Sequence, residues 1–265
     1  MVYAAVLAGG IGKRMRRGDL PRFGDLSKRD DLPRFGDLPK QFLPLGNKCI
    51  LSHTVGRFTV NPGIDKIFVI VPKEWVSYTE NLFAGDDSLS THADNIIVAP
   101  GGDDRNASLM AAVRKIEELR QTTPDDIIVS HDAVRPFVTQ RIIDENIGGC
   151  GLCGAVGTVY AMTDTPMASD DGKTIAEIPA RSRFYLAQTP QTFRIHLLKD
   201  VYASLTREER MNLTDACKMF VLKNKTVRLV MGESYNMKIT TPFDYRMALA
   251  LINEGAAPER PANQE

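Results

Sequence analysis

No stretch of this chain approaches 18 consecutive apolar residues, the length a membrane-spanning helix needs, so no membrane span is expected. Nor is there an excess of charge of either sign. Lys and Arg total 33 against 33 Asp and Glu, which speaks against a bulk nucleic-acid binder and against an acidic interaction tail. The opening "MVYAAVLAGG" is apolar but lacks a basic leader and a polar cleavage region, so it reads as a buried first strand, and the cytoplasm is the expected compartment. Cysteine is sparse: Cys49, Cys150, Cys153 and Cys217. Cys150 and Cys153 form a lone C-x-x-C, and zinc would need two further ligands at suitable spacing, which are not near. The pair reads first as two small residues where a helix turns into a strand, with a redox or metal role as the minor alternative.

What is present is ordinary for a soluble globular protein. The 265 residues are 43% hydrophobic and 25% charged, with room for one large domain or two small ones. Short apolar, β-branched runs recur at Val2–Ala8, Lys66–Val71, Asn95–Ala99, Asp126–Ser130, Gly154–Ala161 and Val227–Val230. They are continuously apolar rather than alternating, as strands buried on both faces should be. Helical patterns lie between them. In "NASLMAAVRKIEELR", Leu109, Val113, Ile116 and Leu119 recur at near-helical spacing, with Asn106 or Ser108 as the cap. "TQRIIDENI" opens on a Thr cap. "TTPFDYRMALALIN" offers Thr241 as cap and Pro242 at the first helical position, where a missing N–H costs nothing. Strands alternating with helices predict an α/β fold with a doubly wound, mostly parallel sheet, whose ligands bind beyond the carboxyl ends of the strands. One segment breaks the alternation. In "TDTPMASDDGKTIAEIPARSRFYLAQTPQTF", Asp171-Gly172 signals a hairpin, and about residues 158–187 read as a projecting β-arm. A projecting hairpin must cover its apolar side, so a homodimer through the arm is expected. The tail 254–265 is rich in Pro, Ala and charge and reads as disordered, leaving 1–253 as a single domain.

Three stretches carry chemistry. Gly9, Gly10 and Gly12 follow the first strand, where glycines let successive N–H groups approach a phosphate. The spacing is neither G-x-x-x-x-G-K-[ST] nor G-x-G-x-x-G, because Arg14 and Met15 stand where those motifs need Ser or Thr and Gly. What remains is Gly-rich backbone followed by Lys13, Arg14 and Lys40, cations suited to a triphosphate. "APGGDDRNASL" places Asp103, Arg105 and Ser108 at a strand's carboxyl end, or is simply a turn with a cap. "IIVSHDAVRPF" places His131, Asp132 and Arg135 just past a buried strand. There a carboxylate can hold a metal with phosphates and an arginine can neutralise an acidic substrate, or the two can pair to close a loop. His131 is either a base or, more ordinarily for such a histidine, structural.

The stretches "LAGGIGKRM", "LPKQFLPL", "GGDDRNAS", "HDAVRPF", "QTPQTF", "LTDAC" and "YNMKITTP" occur in the order found in the bacterial sugar-alcohol-phosphate cytidylyltransferases, which the chain resembles over about residues 1–253. The wording of "HDAVRPFVTQRII", "GESYNMKITTP" and "IPARSRFYLAQTPQTF" is more similar to the ribitol 5-phosphate branch than to the 2-C-methyl-D-erythritol 4-phosphate branch. The resemblance implies a Rossmann-like nucleotidyltransferase sheet. It also implies transfer of a cytidylyl group from CTP to D-ribitol 5-phosphate, with a product serving teichoic acid or capsule synthesis. It assigns catalysis to Arg14, Lys40 and Lys238, and nucleotide binding to Ala8, Gly10, Gly12, Gly102, Asp103, Ser108 and Asp132. Substrate contacts fall to Arg135, Thr165, Arg181, Thr189 and Asp215, with Thr165 and Arg181 reaching the neighbouring subunit's site. Mg²⁺ is implied, held mostly by the substrates, with Asp132 as a protein ligand. The partners are small molecules and a second copy of the chain, with no nucleic acid and no membrane. The alternatives are the erythritol-phosphate reaction and, from another class, a disabled nucleotide-binding protein that would bind CTP without turnover.

One feature departs from the family pattern. "DLPRFGDL" appears at Asp19–Leu26 and again at Asp31–Leu38, inside the stretch that joins the glycine loop to Lys40. Residues 16–38 therefore read as a repeat-bearing insert. It is either a tolerated expansion, at about 0.6 kcal/mol per doubling of loop length, or a lid whose Arg22, Lys28, Arg29 and Arg34 close over a triphosphate.

Overall fold

A computed structural model describes residues 1–10 and 38–253. Gly12, Arg14, the repeat as far as residue 37 and the tail 254–265 lie outside the described residues. Within those described, the strands are β1 (Val2–Leu7), β2 (Pro44–Leu45), β3 (Lys48–Cys49), β4 (Lys66–Val71), β5 (Ile96–Pro100), β6 (Ile127–Asp132), β7 (Ala155–Ala161), β8 (Tyr185–Arg194) and β9 (Arg228–Met231). The helices are α1 (Ile50–Thr59), α2 (Val76–Ala84), α3 (Asp87–Ser90), α4 (Arg105–Leu119), α5 (Gln140–Cys153), α6 (Ile195–Ala203), α7 (Arg207–Met211), α8 (Ala216–Leu222) and α9 (Pro242–Asn253).

Seven strands form one sheet in the order β5-β4-β1-β6-β8-β7-β9, and β2 pairs with β3 in a small separate ribbon. All strands of the large sheet run parallel except β8, which is antiparallel to both neighbours. The chain moves outward from β1 through β4 to β5 and then returns to β6 on the other side of β1. That reversal opens a crevice at the carboxyl ends of the central strands. The register keeps those ends level, with Leu7 opposite both Ile70 and Asp132.

The apolar runs alternate between two cores, because successive side chains of a strand point to opposite faces. Ala4, Val6, Ile67, Val69 and Val129 pack with Leu51, Val55 and Phe58 of α1 and Ile142 and Ile143 of α5. Tyr3, Ala5, Phe68, Ile70 and Ile128 pack with Leu109, Val113 and Ile116 of α4 and with α6 and α8. Burial on both faces explains the absence of polar alternation. A third cluster joins Leu43 and Leu45 to Val134, Phe137, Ile239 and Tyr245, so the segment after the repeat docks beside the start of α9. No helix among the described residues is long and apolar enough to cross a membrane.

The caps fall mostly where the sequence places them. Thr139 caps α5 by accepting from Ile142 N, and Thr241 accepts from Asp244 N before Pro242 opens α9. For α4 the cap is neither Asn106 nor Ser108: Asp104 accepts from Ala107 N at 2.8 Å, and the helix begins at Arg105. Cys150 and Cys153 lie in the last turn of α5, before Gly154 at φ +84°. Burial pushes the Cys150 thiol up to about 12, so it stays protonated.

The arm expected at about 158–187 meets the sheet at both ends: residues 158–161 belong to β7, and 185–187 open β8 (Tyr185–Arg194), a strand absent from the expected apolar runs that fills the place between β6 and β7. Only the stretch between β7 and β8 projects. It carries a single bridge, Ala168 to Glu177, around the Asp171-Gly172 turn. Asp171 fixes that turn by accepting from Lys173 N and Thr174 N.

Candidate active site

Four segments meet beyond the carboxyl ends of β1, β5 and β6 and enclose a cavity of about 430 Å³. The first is the exit of β1. Ala8 N donates to Ile70 O, and the buried Gln41 side chain donates to Ala8 O at 2.6 Å. Gln41 belongs to a short 3-10 turn, Lys40–Phe42, anchored by Phe42 against Trp75 and Tyr78. The anchoring brings Lys40 into the cavity wall, where its Nζ donates to Ile239 O at 3.1 Å. A Cβ built on Gly10 would stand 3.8 Å from Lys40 Cε, so the glycine loop and Lys40 adjoin in space although the repeat separates them in sequence.

The second segment is the turn from β5 into α4. Gly102 N donates to Ser108 Oγ, which in turn donates to Gly102 O. A Cβ on Gly102 would lie 2.6 Å from Ala107 Cβ and 2.9 Å from its carbonyl carbon, so only glycine fits this turn without a shift. The N-terminal end of α4 therefore faces the cavity at close range, a favourable place for anionic groups.

The third is the end of β6. Asp132 is buried, with Arg105 Nε 3.1 Å from Oδ1, and Lys238 Nζ 2.9 Å and Arg135 Nε 3.5 Å from Oδ2. Burial alone would raise its pKa, but the charges of Arg105, Lys238 and Arg135 outweigh that and hold it far below the usual carboxylate range. His131 sits behind it, fully buried against Phe58. Burial lowers its pKa to about 4, so the ring is neutral. Its Nε2 lies 3.0 Å from Arg135 O, and its Nδ1 lies 3.0 Å from the hydroxyl of Thr189, which also accepts from Asp132 N. A neutral ring donating to a carbonyl and accepting from a hydroxyl is a structural histidine.

The fourth is the loop between β9 and α9, which carries Lys238 and Thr240. It is held from below. Arg135 Nη1 donates to Asn236 O at 2.8 Å, Asn236 donates to Thr189 O, Gln188 donates to Glu233 O, and Ile239 N donates to Val134 O.

Of the residues expected at the site, Ala8, Gly10, Lys40, Gly102, Asp103, Ser108, Asp132 and Lys238 all line the cavity. Arg135 and Thr189 stand behind it as supports for the Lys238 loop and for Asp132. Asp215 is elsewhere, capping α8 and accepting from Gln191. Thr165 and Arg181 are exposed on the projecting stretch, away from this cavity. Arg181 donates to Thr163 O at 2.6 Å and lines a second, shallow hollow with Met162, Phe184 and Tyr185. Gly12 and Arg14 lie outside the described residues. Arg105, Gln41 and Thr240 also line the cavity. Arg105 was visible in "GGDDRNAS", but nothing in that string tells that it turns toward Asp132; Gln41 and Thr240 carry no sequence signal beyond adjacency to Lys40 and Lys238. No cluster of three metal-ligating side chains occurs among the described residues.

Comparison with known proteins bears on what such a cavity does. The family model described as IspD, 2-C-methyl-D-erythritol 4-phosphate cytidylyltransferase, matches residues 34–254. A 4-diphosphocytidyl-2C-methyl-D-erythritol synthase from Anaerococcus prevotii superposes with TM-score 0.72 at 23% identity, covering 96% of each chain. The 2-C-methyl-D-erythritol 4-phosphate cytidylyltransferase of Francisella tularensis gives TM-score 0.69 at 26% identity, over 93% of this chain and 97% of that one. The enzyme of the same description from Thermus thermophilus gives 0.64 at 27%, over 81% and 94%.

Proposed function

The chain belongs to the 2-C-methyl-D-erythritol 4-phosphate cytidylyltransferase family, and from that premise we propose that it joins CMP from CTP to an alditol phosphate, releasing pyrophosphate. The supporting observation is the set of cations, Lys40, Arg105 and Lys238, that converges with Asp132 at the mouth of α4. A phosphate monoester is already largely dianionic at neutral pH, with a second pKa near ~6, so no activated serine or cysteine is required. Its oxygen attacks the α-phosphorus, the bond to the β-phosphate oxygen breaks, and pyrophosphate carries away the electron pair. The obstacle is repulsion between two polyanions. Lys40, Lys238 and Arg14 would meet it by spreading positive charge over the pentacoordinate centre. The glycine backbone at Ala8, Gly10 and Gly12 would hold phosphate oxygens, and Gly102, Asp103 and Ser108 would read the cytosine edge.

A divalent cation such as Mg²⁺ belongs to this reading. Both oxygens of Asp132 already meet cations, so such an ion would be held chiefly by the nucleotide's phosphates, with Asp132 as the carboxylate that would exchange a cation for it, and when bound it would neutralise phosphate charge. A homodimer is also part of it. Met167, Ile175, Ile178, Phe184, Tyr185 and Leu186 are exposed on or beside the projecting stretch, an apolar surface that a second copy would cover while bringing Thr165 and Arg181 to its site.

For the acceptor, the family model and the solved relatives favour 2-C-methyl-D-erythritol 4-phosphate over the ribitol 5-phosphate toward which the motif wording leans. D-ribitol 5-phosphate is the second reading and rests on that wording alone. The test is pyrophosphate release from CTP and Mg²⁺ with each acceptor in parallel. Turnover with the erythritol phosphate alone supports the first reading, and turnover with ribitol phosphate alone replaces it with the second. Binding of CTP without turnover on either would refute the transferase mechanism for this chain.

A further inference from the structure

Gln191 is a buried polar residue on the reversed strand β8, opposite Ser130 of β6 and Gly157 of β7. Its amide spans two charged groups. Nε2 donates to Asp215 Oδ2, while Oε1 accepts from Arg105 Nη1 at 3.4 Å. Asp215 spends its other oxygen on Cys217 N at 2.7 Å, at the start of α8. Arg105 then turns its Nε to Asp132 Oδ1 at 3.1 Å. The amide cannot flip without setting its oxygen against a carboxylate and its nitrogen against a guanidinium, so its orientation is fixed by chemistry. Arg105 in turn retains one buried nitrogen, Nη2, with no hydrogen-bond partner, so among the described residues its guanidinium is held by Gln191 and Asp132.

We propose that Gln191 and Asp215 are positioning residues for the transfer, acting through Arg105 to hold the Asp132 carboxylate at the cavity wall. The inference rests on the transferase reading above. Charge alternates along the row: Asp215 negative, Gln191 neutral, Arg105 positive, Asp132 negative, Lys238 positive. Arg105 is kept on Oδ1 of Asp132, and Oδ2 is left to Lys238 and Arg135. Releasing Arg105 lets the carboxylate rotate and carry Lys238 with it. A displacement of that kind acts on the reacting centre without removing any group that touches the nucleotide.

The test uses the full-length variants Gln191→Met, Asp215→Asn, Arg105→Met and Gln191→Met with Arg105→Met. Measured on the acceptor that the wild-type chain uses, Gln191→Met should lose about tenfold in kcat with KM for CTP within about twofold. Asp215→Asn should lose a few-fold, and the double variant should be no slower than Arg105→Met alone. A wild-type kcat in folded Gln191→Met, or losses that multiply in the double variant, would overturn the relay. A second readout needs no turnover. The Nε–H resonance of Arg105, identified by its loss in Arg105→Lys, should shift in Gln191→Met and in Asp215→Asn. An unmoved resonance in both overturns the proposal. If Gln191→Met does not fold, Asp215→Asn carries both measurements. If the wild-type chain turns over neither acceptor, the transferase reading falls and the resonance alone decides the relay.

Discussion

Replacing Asp132 by asparagine removes one negative charge from a point where three positive ones meet. Lys238 is 38% exposed and can turn to water, so its share is small. Arg135 is buried beneath the cavity and cannot, and Arg105 is tied to Gln191. Breaking a buried pair by deleting one partner costs about 3–5 kcal/mol, because the remaining charge is left uncompensated. At about 2–4 °C per kcal/mol for a chain of this size, the melting temperature should fall by roughly 6–20 °C. The pH dependence has a definite sign. The folded-state pKa of Asp132 is depressed, burial being outweighed by Arg105, Lys238 and Arg135. Its stabilisation is therefore complete above the unfolded value, about 3.9, and is lost only as pH falls from there toward the folded value. Calorimetric or circular-dichroism melts of both proteins between pH 4 and 8 should show a gap that is flat from about pH 5 upward. A gap under about 1 kcal/mol at pH 7, or one that shrinks between pH 8 and 5, would refute the electrostatic account.

Lys40→Ala should lower kcat by about a hundredfold or more while moving the melting temperature little, since the anchoring of its turn lies in Gln41 and Phe42; stopped-assay turnover alongside a melt checks both halves. Gly102→Ala should cost about 1–3 kcal/mol, because the added methyl meets Ala107 at 2.6 Å, and should raise KM for CTP more than it lowers kcat. His131 has a folded-state pKa lowered to about 4 by burial, so its stabilisation, on the order of 3 kcal/mol, is present above about 6.5 and disappears as pH falls toward 4. Its ring resonances should not titrate between pH 5.5 and 8, and a titration in that range would contradict the buried neutral ring.

The strands of the parallel half were legible because each is buried on both faces by helices and so reads as an unbroken apolar run. Strand β8 was not, because most of its buried positions are polar. Gln188, Thr189, Gln191 and Thr192 are all inside, each satisfied by a partner distant in sequence: Glu233, His131, Asp215 and Asn146. A one-dimensional pattern cannot supply those partners, so "YLAQTPQTF" was not among the runs that read as strands, and its first residues fell within the expected 158–187 arm. The same reason separates the site residues that could be read from those that could not. Glycines at strand ends and the Asp132 carboxylate announce themselves by type and place. The turning of Arg105 toward Asp132, and the withdrawal of Arg135 under the Lys238 loop, depend on contacts made through β8.

The adjacency of Gly10 and Lys40 has a consequence for how this gene can change. Where a chain leaves a scaffold and returns at nearly the same point, the scaffold is indifferent to how much chain lies between. Gln41 on Ala8 O and Phe42 on Trp75 hold the return point from within the described residues. A twelve-residue tandem repeat is the kind of element that replication slippage lengthens or shortens. If the insert is the tolerated expansion rather than the lid, a change in its copy number would cost tenths of a kcal/mol per unit, by about 0.6 kcal/mol per doubling. On that reading the position next to the glycine loop would be an insertion port, where a peptide of choice could be grafted with the Lys40 turn left in place.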